Sequence, residues 1–143
     1  MSSQLPIPDE PLNVLITKTL TLPDVTSEEE SLIREAAGPG STVVIVDSPK
    51  EGVEFASTAD VILGITPKWL FESAPNLKWV HATASGVDMF MFEEFVKSDV
   101  ILTGEKGLVG GHLADTAFGL LLALTRKIKK AIELGPEGWT LEN

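Results

Sequence analysis

Ala84, Ser85, Gly86 and Val87 carry the chemistry this sequence offers most openly. Three small residues in succession leave main-chain N–H groups uncovered. The stretch falls between an apolar run at 77–81, which reads as a strand, and a helical pattern at 87–96. Amides that converge just ahead of a helix N-terminus form a cradle for a carboxylate or a phosphate. A small anion is therefore the expected ligand. The competing reading is a tight strand-to-helix connection with Asp88 as N-cap, which by itself calls for small residues.

Little else in the chain competes for a chemical role. His81 and His112 have no carboxylate partner at local spacing and are read as structural rather than as proton carriers. Met89, Phe90, Met91 and Phe92 read as a buried helix face rather than a soft binding surface. Glu28, Glu29 and Glu30 suit the positive end of a helix dipole, and Lys127, Lys129 and Lys130 suit the negative end of another. The absence of cysteine excludes a disulfide framework, a zinc–thiolate site and a thiol nucleophile.

Composition narrows the class further. The 143 residues, 43% of them hydrophobic, suit one domain with its own core plus an appendage. A net charge of -10, with Arg34 and Arg126 as the arginines, offers no basic stripe, so no nucleic-acid partner is expected. The start MSSQLPIPDE lacks the layout of a signal peptide, which predicts a cytoplasmic location. The apolar run at 117–124, broken by Gly119, falls far short of the roughly 20 residues of a membrane span.

The elements that must position residues 84–87 follow from the patterning. Runs at 13–17, 42–46, 60–64, 77–81 and 99–103 are short, apolar and rich in β-branched residues without clean alternation, as strands covered on both faces are. Thr26 with Glu29 and Ser48 with Glu51 fit capping boxes, Pro49 and Pro67 sit at first-turn positions behind Ser48 and Thr66, and Gly38 closes the first helix. Five strand–helix repeats predict an α/β fold with a doubly wound parallel five-stranded sheet. The loop at 82–88 then lies at the carboxyl end of the fourth strand, where such sheets bind ligands.

The last pattern is different. Residues 112–134 run for roughly 22 positions without a breaker, about 33 Å of helix, with Leu113, Phe118, Leu120, Leu121, Leu122, Leu124, Ile128 and Ile132 on more than one face. Leaving four such leucines in water forfeits about 1.5 to 3 kcal/mol each, comparable with a whole domain's net stability. This long protruding helix therefore predicts a cover, either further polypeptide or a second copy of the chain.

The succession APNLKWVHATASGVD, SDVILTGEKG, HLADTAFGLLLALTRKI and a lone Trp139 resembles the N-terminal half of the D-isomer-specific 2-hydroxyacid dehydrogenases, most strongly at 74–130. The resemblance implies a flavodoxin-like substrate domain at 1–107, and at 108–143 a connecting helix that leads into a Rossmann domain for NAD or NADP. No glycine fingerprint follows a strand in this chain. The family's catalytic arginine, its acidic partner and its histidine are thus expected outside it, with no catalytic residue inside. The resemblance assigns the amides of Ala84, Ser85, Gly86 and Val87 to the carboxylate of a small 2-hydroxy or 2-keto acid, and Leu113 to a grazing contact with the cofactor. Two departures stand out: Thr103 to Gly107 lack the Asn and Arg of many members, and Asp115 stands where many have Glu. The chain alone is expected to be inactive and to hold no cofactor.

Other classes give different expectations. A non-catalytic module would form a homodimer through residues 112–134. A receiver needs acids at the ends of the first and third strands, where Thr17, Lys18, Gly64 and Ile65 stand instead. A flavin binder could use Thr17, Thr19 and Thr21, yet that loop has no glycine to admit a phosphate.

Overall fold

The β-branched runs form five strands, and the capped segments between them form helices. The computed structural model describes residues 10–136; the N-terminal segment and Trp139 invoked above lie outside the described residues. In order the elements are β1 (Asn13–Thr17), α1 (Ser27–Ala37), β2 (Thr42–Val46), α2 (Pro49–Ala56), β3 (Val61–Leu63), α3 (Lys68–Glu72), β4 (Trp79–Ala82), a 3-10 turn (Asp88–Phe90), α4 (Glu93–Val96), β5 (Ile101–Gly104), α5 (Gly110–Thr125) and α6 (Ile128–Leu134). All strand pairs are parallel, in the order β2-β1-β3-β4-β5. That is the flavodoxin-like doubly wound order, with its switch point between β1 and β3.

Alternation along each strand sends side chains to two apolar layers. Leu15, Ile62, Val80 and Ala82 pack with Ala56 of α2, Leu70 of α3, Phe90 and Phe95. Val14, Ile16, Val43 and Val61 pack with Ile33 and Ala37 of α1 and with Leu22 and Val25 of the loop before it. Each fully buried aliphatic or aromatic side chain contributes about 1.5 to 3 kcal/mol. Cover is uneven, because edge strand β5 keeps Ile101 46% exposed and Thr103 open, so the expectation of strands covered on both faces fails there.

The helix starts follow local chemistry. Glu29 N–H donates to Thr26 Oγ1 (3.2 Å) and Thr26 N–H donates to the Glu29 carboxylate (2.8 Å), a complete capping box. At α2 the reciprocal bond shifts by one residue, since the Glu51 carboxylate accepts from Asp47 N–H at 3.3 Å. Pro67 is itself the N-cap of α3, not a first-turn residue behind Thr66. Thr66 is 1% exposed, and its hydroxyl has no partner among the described residues.

Two expected helices are broken. Residues 87–96 split into the 3-10 turn and α4, with Phe92 extended between them (ψ 156). In a continuous helix residues two apart point about 200° away from each other, so Phe90 and Phe92 could not share a core. The break lets Phe90, Phe92 and Phe95 converge, with ring centroids 6.4 Å (Phe90–Phe95) and 5.7 Å (Phe92–Phe95) apart and Phe71 5.3 Å from Phe92. Met89 and Met91, expected in the core, are 55% and 56% exposed as a result.

The chain divides into two compact units with the boundary between Lys106 and Gly107. In the second, the helix expected over 112–134 is interrupted at Lys127, which adopts a left-handed conformation (φ 50, ψ 37). Lys127 N–H turns to Leu124 O at 3.1 Å, the tighter three-residue spacing of a helix end. No side chain of α5 or α6 is buried. No helix among the described residues is long and apolar enough to cross a membrane.

At the amino ends of the strands Asp60, 8% exposed, ties three of them together. Its carboxylate accepts from Asn13 N–H at 2.9 Å and pairs with Lys78 Nζ at 2.9 Å. Burial raises this carboxyl, but the Asn13 amide and the Lys78 ammonium outweigh burial and hold it below its ordinary value. Because the folded value lies below the unfolded one, the stabilisation is complete above the unfolded value and is lost as pH falls through the folded one. Asp60→Ala is expected to cost about 2 to 3 kcal/mol at neutral pH. Urea titrations at falling pH should show the gap between wild type and variant closing in the acid range.

Candidate functional site

Loop 84–87 leaves β4 at the carboxyl end of the sheet. Ala84, Ser85 and Val87 are half-buried and Gly86 is exposed. None of the four main-chain N–H groups donates to a protein acceptor among the described residues. Their partners in the loop are all on the acceptor side or on a side chain. Ala84 O accepts from Glu105 N–H at 3.2 Å, Val87 O accepts from Phe90 N–H at 2.9 Å, and Ser85 Oγ donates to Glu105 O at 3.2 Å. The carbonyls of Ala84 and Val87 thus hold the loop while the four amides are left with unused donor capacity.

The competing explanation, a tight connection with Asp88 as N-cap, loses its N-cap here. Asp88 is the first residue of the 3-10 turn rather than its N-cap; Val87 has that place, with no side-chain capping bond. A turn of three residues has little macrodipole, so an anion at this loop would be held by the individual N–H groups, not by the end of a long helix. The Asp88 carboxylate stands close by, since a Cβ placed on Gly86 would lie 3.5 Å from Asp88 Oδ2.

Two residues that sequence reading missed shape this loop. A Cβ on Gly104 would approach Ala84 O to 3.1 Å and Val87 Cγ1 to 3.6 Å, so a side chain here would press Ala84 outward by a few tenths of an ångström, and glycine lets β5 end close beneath the loop without that shift. Glu105, the next residue, makes both cross-links to Ala84 and Ser85. The visible signal was the glycine just after the run 99–103, which reads as an ordinary turn residue until the neighbouring strand is in place. Gly104→Ala is expected to displace Ala84, lower affinity for a small carboxylate about tenfold or more, and cost about 1 to 2 kcal/mol of stability. Amide shifts of residues 84–87 during an acid titration, set beside a urea melt, would check both effects.

The threonines after β1 are engaged within the protein. Thr17, fully buried, donates to Ile65 O at 3.4 Å. Thr19, Thr21 and Thr83 form a chain of hydroxyls, with spacings of 3.0 and 3.2 Å, that pins the loop after β1 to the end of β4. They are not arrayed for a flavin phosphate. His81 Nδ1 lies 2.8 Å from Thr103 Oγ1, which also accepts from Trp79 Nε1–H at 2.8 Å, a structural network across β4 and β5. Lys18 is held 3.1 Å from both Asp24 and Asp47. No cluster of metal-ligating side chains occurs among the described residues. In the second unit Leu113 is 65% exposed on α5.

No family model matches the chain. Over 64 residues it is 41% identical to a glyoxylate reductase of Thermococcus litoralis (strain ATCC 51850 / DSM 5473 / JCM 8560 / NS-C), a match covering 45% of this chain and 19% of that protein. Over 69 residues it is 35% identical to a glyoxylate reductase of Korarchaeum cryptofilum (strain OPF8), covering 48% of this chain and 21% of that protein. The matches thus span only 19% and 21% of the lengths of these curated relatives. A crystal structure of a D-isomer specific 2-hydroxyacid dehydrogenase family protein from Aeromonas salmonicida subsp. salmonicida A449 superposes with a TM-score of 0.71 over 87% of this chain and 39% of that one. At 22% identity that likeness speaks for the fold. Over nearly half of its length the chain is thus similar in sequence to glyoxylate reductases, and its fold is similar to that of a solved D-isomer specific 2-hydroxyacid dehydrogenase family protein.

Proposed function

We propose that this chain is the substrate-binding lobe of a cytoplasmic NAD(P)-dependent D-2-hydroxyacid dehydrogenase, with residues 1–107 as the lobe and 108–143 as the connection that follows it. The lobe holds the carboxylate of a small 2-hydroxy or 2-keto acid while a hydride passes between a nicotinamide cofactor and C2. One observation carries this reading: four consecutive amides, Ala84 to Val87, stand without protein acceptors among the described residues at the carboxyl end of a parallel sheet. Hydrogen bonds from such N–H groups to a carboxylate are charge-assisted, and they fix the acid's orientation without a cationic side chain.

The residues of the first unit do not fit the cofactor itself. The loop from Lys18 to Thr26 has no glycine, and Asp24 and Asp47 already claim its lysine, so a pyrophosphate finds no cradle after β1. In this reading NAD or NADP supplies or accepts the hydride and is held by residues other than those of β1 to β5. Leu113, exposed on α5, is assigned the contact with its nicotinamide end.

The test is a titration of the 143-residue chain with glyoxylate, followed by amide NMR, together with an assay for NAD-linked turnover. Saturable shifts centred on residues 84–87, with no turnover and no tight NAD binding, are expected. Shifts confined to other residues, or turnover by this chain alone, would overturn the reading.

A second reading is favoured by α5, on which Leu113, Phe118, Leu120, Leu121, Leu122 and Leu124 are all more than half exposed, from 53% to 77%. Here the chain is a non-catalytic module that pairs with a second copy through residues 112–134. Light scattering that gives a monomer mass at every concentration would exclude it.

A further inference from the structure

Asp88 follows directly on the loop of free amides. Its side chain is exposed and takes part in no hydrogen bond or ion pair among the described residues. Only its main chain is engaged, since Asp88 O accepts from Met91 N–H at 3.1 Å. The carboxylate is left to act on whatever the loop holds.

The distance is short. A Cβ on Gly86 would lie 3.5 Å from Asp88 Oδ2. A Cβ stands about 2.5 Å from the nitrogen of its own residue, which puts Asp88 Oδ2 within about 6 Å of Gly86 N. An anion oxygen seated on that N–H, at about 2.9 Å, is then within about 9 Å of the Asp88 carboxylate. Two like charges at that separation at a wet surface change an affinity about threefold, less as salt is added.

No cation offsets this charge. Glu105 and Lys106, at the segment that cross-links the loop, are of opposite sign. Lys97 is paired with Glu93, and Lys68 with Glu94. Neutral N–H groups beside a negative side chain hold one carboxylate, but a second charge on the same small molecule meets repulsion that the amides do not compensate.

We propose that Asp88 is a specificity-determining residue that restricts the loop to acids with a single negative charge. Monocarboxylates are admitted, and dicarboxylates and phosphorylated acids are turned away. The inference rests on the carboxylate reading of residues 84–87 and adds to it the charge class of the substrate.

Glyoxylate and oxalate test it, because both have two carbons and they differ by one negative charge. Each is titrated into the 143-residue chain and into its Asp88→Asn and Asp99→Asn variants, at low and high salt, with the amides of 84–87 followed by NMR. Asp88→Asn keeps the shape of the side chain and removes its charge. Glyoxylate is expected to bind about threefold tighter to that variant and oxalate about tenfold tighter, with both gains shrinking as salt is added. Asp99→Asn removes the same net charge from an exposed position just ahead of β5, at the opposite end of the strands. It should leave the ratio of the two affinities unchanged. If Asp88→Asn leaves that ratio unchanged, or Asp99→Asn alters it as much, selection by Asp88 is overturned while saturable shifts at 84–87 keep the carboxylate reading. If neither acid shifts those amides in any of the three proteins, the carboxylate reading fails and this inference with it.

Discussion

Gly64→Ala is expected to cost about 3 to 5 kcal/mol, a large part of the 5 to 15 kcal/mol that holds an ordinary domain folded. Gly64 ends β3 at the switch point with φ +129, a conformation that L side chains rarely adopt. A Cβ there would lie 2.4 Å from Thr17 Oγ1 and 2.6 Å from Thr17 O. Thr17 is fully buried at the end of β1, so its main chain has nowhere to retreat, and the Thr17 to Ile65 hydrogen bond would be lost as the strands part. Gly38→Ala is the control. Gly38 also has positive φ (+84), but nothing lies within 4 Å of its added Cβ, so only backbone strain of about 1 to 2 kcal/mol is expected. Urea denaturation of the two variants separates clash from strain; similar losses at both positions would show that packing around Thr17 yields more easily than its burial implies.

Truncating Phe90 to alanine should cost about 3 to 5 kcal/mol and loosen the amide loop as well. Phe90 is fully buried between the sheet and Phe95, and its N–H donates to Val87 O at 2.9 Å. Its ring is the anchor that fixes the turn at 88–90, and through that turn the far end of loop 84–87. With the ring gone, the loop retains the two cross-links to Glu105 on its near side, and affinity for a small carboxylate is expected to fall about tenfold. Phe92→Ala, at a half-buried ring that does not bond to the loop, should lower stability less and leave acid affinity unchanged. Should both variants bind acid equally well, the loop is positioned by β5 alone.

How much was legible depended on the range of the interactions involved. The capping box of Thr26 and Glu29 and the glycine stop at Gly38 involve residues three or four apart, and both stand in the structure where the sequence put them. The five strands were readable because β-branched runs bounded by caps have few alternatives. The helix at 87–96 misled because its apolar residues satisfy a helical period locally, whereas Phe90, Phe92 and Phe95 meet only if the helix breaks. No glycine or proline marks the interruption at Lys127 within 112–134, so sequence punctuation was silent there.

For the candidate site, the amino-acid order alone determined that small residues 84–87 follow an apolar strand and precede a turn, which is enough to suggest exposed amides at the ligand end of a parallel sheet. Only the tertiary structure decided that those amides have no protein partner among the described residues, that Gly104 lies close beneath Ala84, and that an apolar groove is lined by Thr83. The reason is physical. Strand and helix patterns arise from neighbours within a few positions, while close approach and the pairing of a donor depend on atoms that folding brings in from twenty to sixty residues away.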